Sequence, residues 1–371
     1  MSKGTLKEIA EKIEEGTRLS KADAVTLINS DDLIYIGQLA NKVKEKKTGN
    51  YAYFNVNRHI NLTNICVSRC KFCAFSRDKN DNDAYTMTVD EVLVAARSAR
   101  HFGITELHIV SGLHPDLPFD YYLGVISRLR EAMPDVHIKA FTAVEIAYLA
   151  KISNFSIKDV LIQLKNAGLG SLPGGGAEIL NHRIREAVCP KKASSEEWLE
   201  VMRTAHNLGL KSNATMLYGH METLEERIDH LLRLRGLQDE TGGFQTFIPL
   251  PFHPQNTQLP YFKKPAAFEN LKMLAVSRLV LDNFPHIKAF WIMQGLKVAQ
   301  LSLLFGVDDL DGTVVEEKIT HSAGADTDQS IYREELLELI YATGRVPVER
   351  DTVYNVIRIY DQEKKGVLIE T

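Results

Sequence analysis

Apolar residues recur at helical spacing from the start of the chain, where Leu6, Ile9, Ala10 and Ile13 would share one face. Ser20 stands before Lys-Ala-Asp-Ala-Val with Asp23 three residues on, a pattern that opens a helix by mutual capping. A further helix is predicted over 32–47. Lys42, Lys44, Lys46 and Lys47 suit its negative C-terminal end, with Glu45 the one opposing charge. From Asn57 the texture changes, and short apolar runs alternate with longer amphipathic stretches. Strands are predicted over 58–63, 106–111, 137–142, 169–172, 211–217, 244–249 and 287–293, with a weaker one over 310–315. Helices are predicted between them over 89–102, 121–132, 157–167, 195–208, 224–241 and 268–281.

Strand–helix alternation implies α/β architecture with a parallel sheet. Some six to eight units in series over about 250 residues fit a TIM-type (β/α) barrel better than a doubly wound sheet. The expected division is a helical N-terminal extension over 1–52, a barrel over 53–331, and an appendage over 332–371 packed on the barrel, helical and then extended. Neither an internal repeat nor a low-complexity linker interrupts it. Chemistry in such a barrel sits just after the strands.

Composition narrows the partners. With 371 residues, 44% of them apolar and 25% charged, the chain can bury a large core. A formal net charge of -4 argues against a phosphate-binding face, so neither nucleic acid nor an anionic membrane surface is expected. No apolar run of about 18 residues would span a bilayer. The opening Met1-Ser-Lys-Gly-Thr-Leu-Lys-Glu8 lacks the apolar core of a secretory signal. Three of the four cysteines fall within 66–73, which favours a metal site in a reducing, cytoplasmic compartment over a disulfide scaffold.

These three form Cys66-Val-Ser-Arg-Cys70-Lys-Phe-Cys73, directly after the first of the strands over 58–315. Three thiolates on one loop can ligate three irons of a [4Fe–4S] cubane and leave the fourth iron open. Structural zinc wants four ligands, for which His59 or the distant Cys189 would have to serve, and both spacing and strand-end position suit it poorly. A cluster used only for electron transfer wants a fourth cysteine.

The Cys-x3-Cys-x2-Cys spacing, with aromatic Phe72 before the last cysteine, resembles the signature of the radical S-adenosylmethionine (SAM) superfamily. The resemblance implies that SAM chelates the open iron through its amino and carboxylate groups and is cleaved there by one electron. An external donor of flavodoxin or ferredoxin type would deliver that electron. It places Phe72 beside the adenine, the alternative being loop packing. It places Ser111 and Gly112, of Ser111-Gly-Leu-His-Pro115, where backbone carbonyls hold the methionine amino group; the family's Glu is missing here, and Gly112 is alternatively a turn glycine. In Pro173-Gly-Gly-Gly-Ala-Glu178 it assigns Glu178 to the ribose, and Arg183 or Arg185 to the methionine carboxylate. The plain alternative is a helix start with solvated arginines. Asn213 and Thr215 alternate along the strand over 211–217, so both would face inward, as ligand contacts or satisfied core groups.

Further motifs resemble the futalosine-pathway enzymes of menaquinone biosynthesis. They are Asn61-Leu-Thr-Asn-Ile-Cys66, Ser171-Leu-Pro-Gly-Gly-Gly-Ala-Glu-Ile-Leu180 and Phe247-Ile-Pro-Leu-Pro-Phe-His-Pro254. The segments 281–293 and 308–321 resemble the branch that builds the adenosyl group into its product, rather than the cyclising sister branch. The implied substrate is a dicarboxylate enol ether, 3-[(1-carboxyvinyl)oxy]benzoate. The adenosyl radical would add to its double bond, with rearrangement and loss of the carboxyl carbon. Such a substrate needs donors inside the barrel. His114 and His253 are the favoured substrate contacts among strand-end groups that include His220, His286, Lys288 and His321; each is alternatively an ordinary core or surface group.

Overall fold

The computed structural model describes residues 3–361. Three helices come first: α1 (Lys3–Glu15), α2 (Lys21–Asn29) and α3 (Leu33–Thr48). Ser20 and Asp23 cap α2 reciprocally, as the sequence pattern predicts. Then follow β1 (Tyr51–Asn55), β2 (Asn57–Ile60), α4 (Val89–Ser98), β3 (Glu106–Ile109), α5 (Phe119–Ala132), β4 (His137–Ala140), α6 (Ala143–Ser153), α7 (Ile157–Ala167), β5 (Ser171–Leu172), α8 (His182–Val188), α9 (Ser195–Asn207), β6 (Lys211–Tyr218), α10 (Leu224–Thr241), β7 (Phe244–Pro251), α11 (Ala267–Val280) and β8 (His286–Ile287). The chain continues with β9 (Asp309–Gly312), a helix over Arg333–Tyr341, β10 (Val346–Arg350) and β11 (Val356–Ile359).

Strands β2 to β8 form one parallel sheet in sequence order. It curls into a barrel because each strand is followed by a crossover that packs outside. Burial follows: in β6 every residue after Lys211 is buried, as expected of a parallel strand covered on both faces. The helices start where side chains cap them, with Thr88 and Glu91, Thr142 and Glu145, Ser194 and Glu197, and Thr223 and Glu226 each forming a reciprocal box. The N-terminal helices pack on the outside, α3 along α11 and α2 against α10 and α11.

The gap between β8 and β2 is spanned by residues 308–315. Asp309 bridges to Lys288 on one side and Val315 to Arg58 on the other. The segment expected as a barrel strand over 310–315 therefore sits where a closing strand would, but its regular pairing is with β1, which lies between β9 and β10 in a second, four-stranded sheet. Two buried ion pairs fix this closure: Arg350 Nε lies 2.7 Å from Asp309 Oδ2, and Lys288 Nζ 2.8 Å from Asp311 Oδ1. The strand expected over 287–293 stops at Ile287, and Trp291–Gln294 is one helical turn. Among the described residues no helix is long and apolar enough to cross a membrane.

Candidate active site

The cysteine loop leaves the end of β2 and is tied down on several sides. Val67 N–H donates to Leu113 O after β3, Lys71 N–H to Val188 O at the end of α8, and Gln258 N–H to Lys71 O. Arg69, at φ 44°, turns the loop and donates to Ser76 O. Gly112 is where β3 passes closest, since a Cβ there would stand 2.3 Å from Ile65 O. Cys70 is buried, and Cys66 and Cys73 are half-buried.

The hydrogen bond with Cys189, and then burial, pushes the Cys70 thiol well up; burial pushes Cys73 up. Thiolates at these places need a compensating cation, and iron supplies one. Among the described residues no three His, Cys, Asp or Glu side chains are gathered tightly enough for a single metal ion. A cubane takes one thiolate on each of three irons. The donor set fits a [4Fe–4S] cluster.

Inside the barrel a cavity of about 340 Å³ runs from these cysteines inward. This size suits a small-molecule site. Cys66, Cys70, Cys73, Phe72, Ser111, Gly112, Glu178, Thr215 and His253 all line it. The Pro173–Gly176 stretch forms one wall and is pinned from behind. Thr215 Oγ1 donates to Gly174 O (2.8 Å), Trp198 Nε1 to Gly175 O (3.1 Å) and Arg185 to Gly176 O and Ala177 O. Glu178 follows in the left-handed region, φ 48°, a conformation that unbranched polar residues adopt at a cost and that is held here by Leu217 N–H on its carbonyl. A Cβ on Gly174 would stand 2.7 Å from Ala214 N of β6. Gly174→Ala should therefore push the wall off β6, destabilise the fold by about 1–3 kcal/mol and weaken SAM binding, as thermal unfolding and SAM titration would show.

Three expected residues lie elsewhere. Arg183 is on the surface, in a bidentate pair with Glu226 (3.0 and 2.6 Å). Arg185 is buried but spends its guanidinium on the backbone carbonyls of Gly176, Ala177 and Ala193, so it braces the glycine wall from outside. His114 is off the cavity wall, its Nδ1 accepting from Asp116 N–H and Leu117 N–H. Of the two arginines of α8, Arg183 points to the surface, while Arg185 lies on the buried face behind the glycine wall. His253 is on the wall, with Nε2 2.7 Å from Met293 O.

Sequence reasoning missed Lys192, the one Lys or Arg among the described residues of the wall. Its Nζ lies 2.6 Å from Glu178 Oε1 and 5.3 Å from the centre of the Phe72 ring. Burial opposes the charge, but Glu178 and the neighbouring thiols hold it protonated. It also missed Glu145, whose carboxylate accepts from Ser111 N–H at 2.9 Å and caps α6 at Thr142. Burial pushes Glu145 up to about 7 against these donors. Its Thr142-x-x-Glu145 box is legible in sequence once a helix is placed there. Nothing in the sequence distinguishes Lys192 from Lys191.

The chain resembles known proteins along its length. A family model described as the radical SAM superfamily matches residues 60–234, and one described as the CofH/MqnC C-terminal region matches 241–363. An aminodeoxyfutalosine synthase of Thermus thermophilus is 48% identical over 95% of this chain and 96% of its own; one of Streptomyces coelicolor is 45% identical over 97% and 96%. A 5-amino-6-(D-ribitylamino)uracil–L-tyrosine 4-hydroxyphenyl transferase of Methanopyrus kandleri is 40% identical over 95% of both chains. In fold the chain resembles the crystal structure of methylornithine synthase, with a TM-score of 0.73 at 18% identity, over 91% of this chain and 97% of that one. The cysteine loop, the cavity it opens into and these matches agree: the chain is an enzyme of the radical SAM superfamily, and its cofactors are the [4Fe–4S] cluster and SAM.

Proposed function

We propose that this enzyme is an aminodeoxyfutalosine synthase. It would join the 5′-deoxyadenosyl group of SAM to the enol-ether carbon of 3-[(1-carboxyvinyl)oxy]benzoate, with rearrangement and loss of the carboxyl carbon, to give 6-amino-6-deoxyfutalosine for menaquinone. The observation that carries this reading is identity of 45–48% to two synthases of that name over nearly the whole chain.

Cys66, Cys70 and Cys73 hold the cluster. When bound, the cluster would supply one electron to the sulfonium of SAM. Lys192, already charged and buried, takes the methionine carboxylate in place of the arginines expected there. Backbone carbonyls at Ser111 and Gly112 accept from the methionine amino group. Glu178 accepts from the ribose, and Phe72 and Thr215 flank the adenosine. Leu217, Ile248, Leu250 and Phe252 line the interior, so few polar hydrogens face a carbon radical there. Holding both reactants in one cavity makes the addition effectively intramolecular. A flavodoxin or ferredoxin is the donor, at the cysteine-loop end of the barrel.

The test is anaerobic turnover of the reconstituted enzyme with dithionite, SAM and the enol ether. The expected result is an adenosine-bearing product lighter than the radical adduct by one carbon dioxide and one hydrogen, the latter leaving as a proton and an electron returned to the redox centre, with one methionine per product. Accumulation of 5′-deoxyadenosine from dehypoxanthine futalosine would instead identify the cyclising reading, cyclic dehypoxanthine futalosine synthase. Transfer of a 4-hydroxyphenyl group from tyrosine to the ribitylaminouracil would identify the archaeal reaction, which 40% identity to the Methanopyrus transferase keeps as the second reading.

A further inference from the structure

Strand register builds a layer of polar side chains across the barrel below the cysteine loop. In the parallel pairing of β2 with β3, His59 stands beside His108; in that of β3 with β4, His108 stands beside Lys139. The two imidazoles stack, with centroids 4.5 Å apart and planes 15° apart. The Phe290 ring lies parallel to His59 within 5°, with centroids 6.5 Å apart. All three rings are only half-buried, and all three line the cavity, so the surface they leave open faces its interior.

Several other polar groups of this end are engaged. Asp311 is paired with Lys288 at 2.8 Å, and Lys139 Nζ lies 2.7 Å from Glu106 Oε1. Glu317 accepts from Thr320 N–H and pairs with His321 Nδ1 at 2.9 Å. His253 is taken by Met293 O. His59 differs: its Nε2 has no hydrogen-bond partner among the described residues. That nitrogen is closed off from the cavity, so a ligand there would meet the other ring nitrogen, which no hydrogen bond engages among the described residues. Burial, and then His108, pushes His59 down to about 3, so it is a neutral imidazole with one donor and one acceptor.

We propose that this deep end is the subsite for the second substrate, and that His59 is its polar contact. The compound is of the class of a flat ring bearing a carboxylate: the ring lies against the face of Phe290, and the His59 imidazole donates, in its own plane, to the carboxylate. Glu106 lies 3.7 Å from His108 Nδ1, and the stack with His108 fixes the plane of His59. The cluster and SAM stand at the other end of the same cavity, so this layer sets how the substrate is presented to the radical. The assignment of the compound rests on the function proposed above.

The experiment compares the full-length, reconstituted enzyme with His59→Phe, which keeps a flat ring without nitrogens, and His59→Asn, which keeps a donor. Iron content and SAM cleavage without second substrate should stay within about twofold of the unaltered enzyme, because neither group touches the cysteine loop or its cofactors. In His59→Phe, kcat/KM for the enol ether should fall about 10- to 100-fold, mainly through KM, the range for losing a hydrogen bond to a charged group. His59→Asn should recover part of it. Unchanged kcat/KM in His59→Phe would overturn the proposal, as would equal loss of iron and SAM cleavage in both variants, which marks a structural role. If the unaltered enzyme cleaves SAM but leaves the enol ether untouched, the proposed function has failed instead.

Discussion

Cys70→Ala protein, reconstituted without oxygen, will hold no [4Fe–4S] cluster with an open iron and will cleave no SAM. Cys70 is the most enclosed of the three thiols, between Cys66 and Cys73 on a loop anchored to β3, α8 and the segment after β7. Removing it leaves two thiolates, too few to hold three irons of a cubane. Iron and sulfide analysis, the absorbance of the cluster and methionine release would all fall to background. Cys189→Ala is the control. Sequence alone gives no link between Cys189 and the loop, yet Cys189 pushes the Cys70 thiol up, and its neighbour Val188 accepts from Lys71 N–H. Three thiolates remain in this variant, so it should keep its iron and its SAM cleavage. It should lose about 1 kcal/mol of stability to the small void left behind. Complete loss of iron from Cys189→Ala would mean that the protein saturates the cluster with four thiolates, and the open iron would have to be abandoned.

Lys192→Met should be nearly as damaging, in a separable way. The Lys192–Glu178 pair is largely enclosed, with side chains 15% and 10% exposed. Removing the cation strands a carboxylate in the wall, which costs about 3–5 kcal/mol. It also removes the charge proposed to meet the methionine carboxylate, so SAM affinity should fall about 100-fold. Adding Glu178→Gln, with Glu178→Gln alone as the control for the altered ribose contact, separates the two effects. Lys192→Met/Glu178→Gln has no stranded charge and should regain most of the stability lost, while SAM binding stays weak. Recovery of SAM affinity along with stability would show that Lys192 serves the wall alone.

Elements with strong caps and clear periodicity were legible to the residue: helices are expected over 157–167 and 224–241, and α7 and α10 occupy those spans. Helix α6 was not, since its apolar residues face nearly every direction and leave no stripe. The run Ile287-Lys-Ala-Phe-Trp-Ile-Met293 is apolar almost throughout, and periodicity cannot separate strand from helical turn in such a run. The second sheet was illegible for a different reason: β1 pairs with strands more than 250 residues away, and nothing local encodes that. At the site, spacing was enough to single out Cys66, Cys70 and Cys73, because the loop is contiguous. Lys192 was not singled out as the cavity-lining cation, because Arg183 and Arg185 precede it by a few residues and nothing local shows which of them reaches the wall. His59 and His108 become partners only through strand register.

The way β1 is clasped between β9 and β10 bears on when the enzyme can be loaded. Until residues 309–350 have left the ribosome, the side of the barrel between β8 and β2 is open, with Lys288 lacking Asp311 and Arg58 lacking Glu316. A nascent chain can expose its three thiols long before it owns a sealed interior to shelter an oxygen-sensitive prosthetic group. Iron–sulfur delivery is thus a task for after translation, directed at a protein whose last strands have already shut the door.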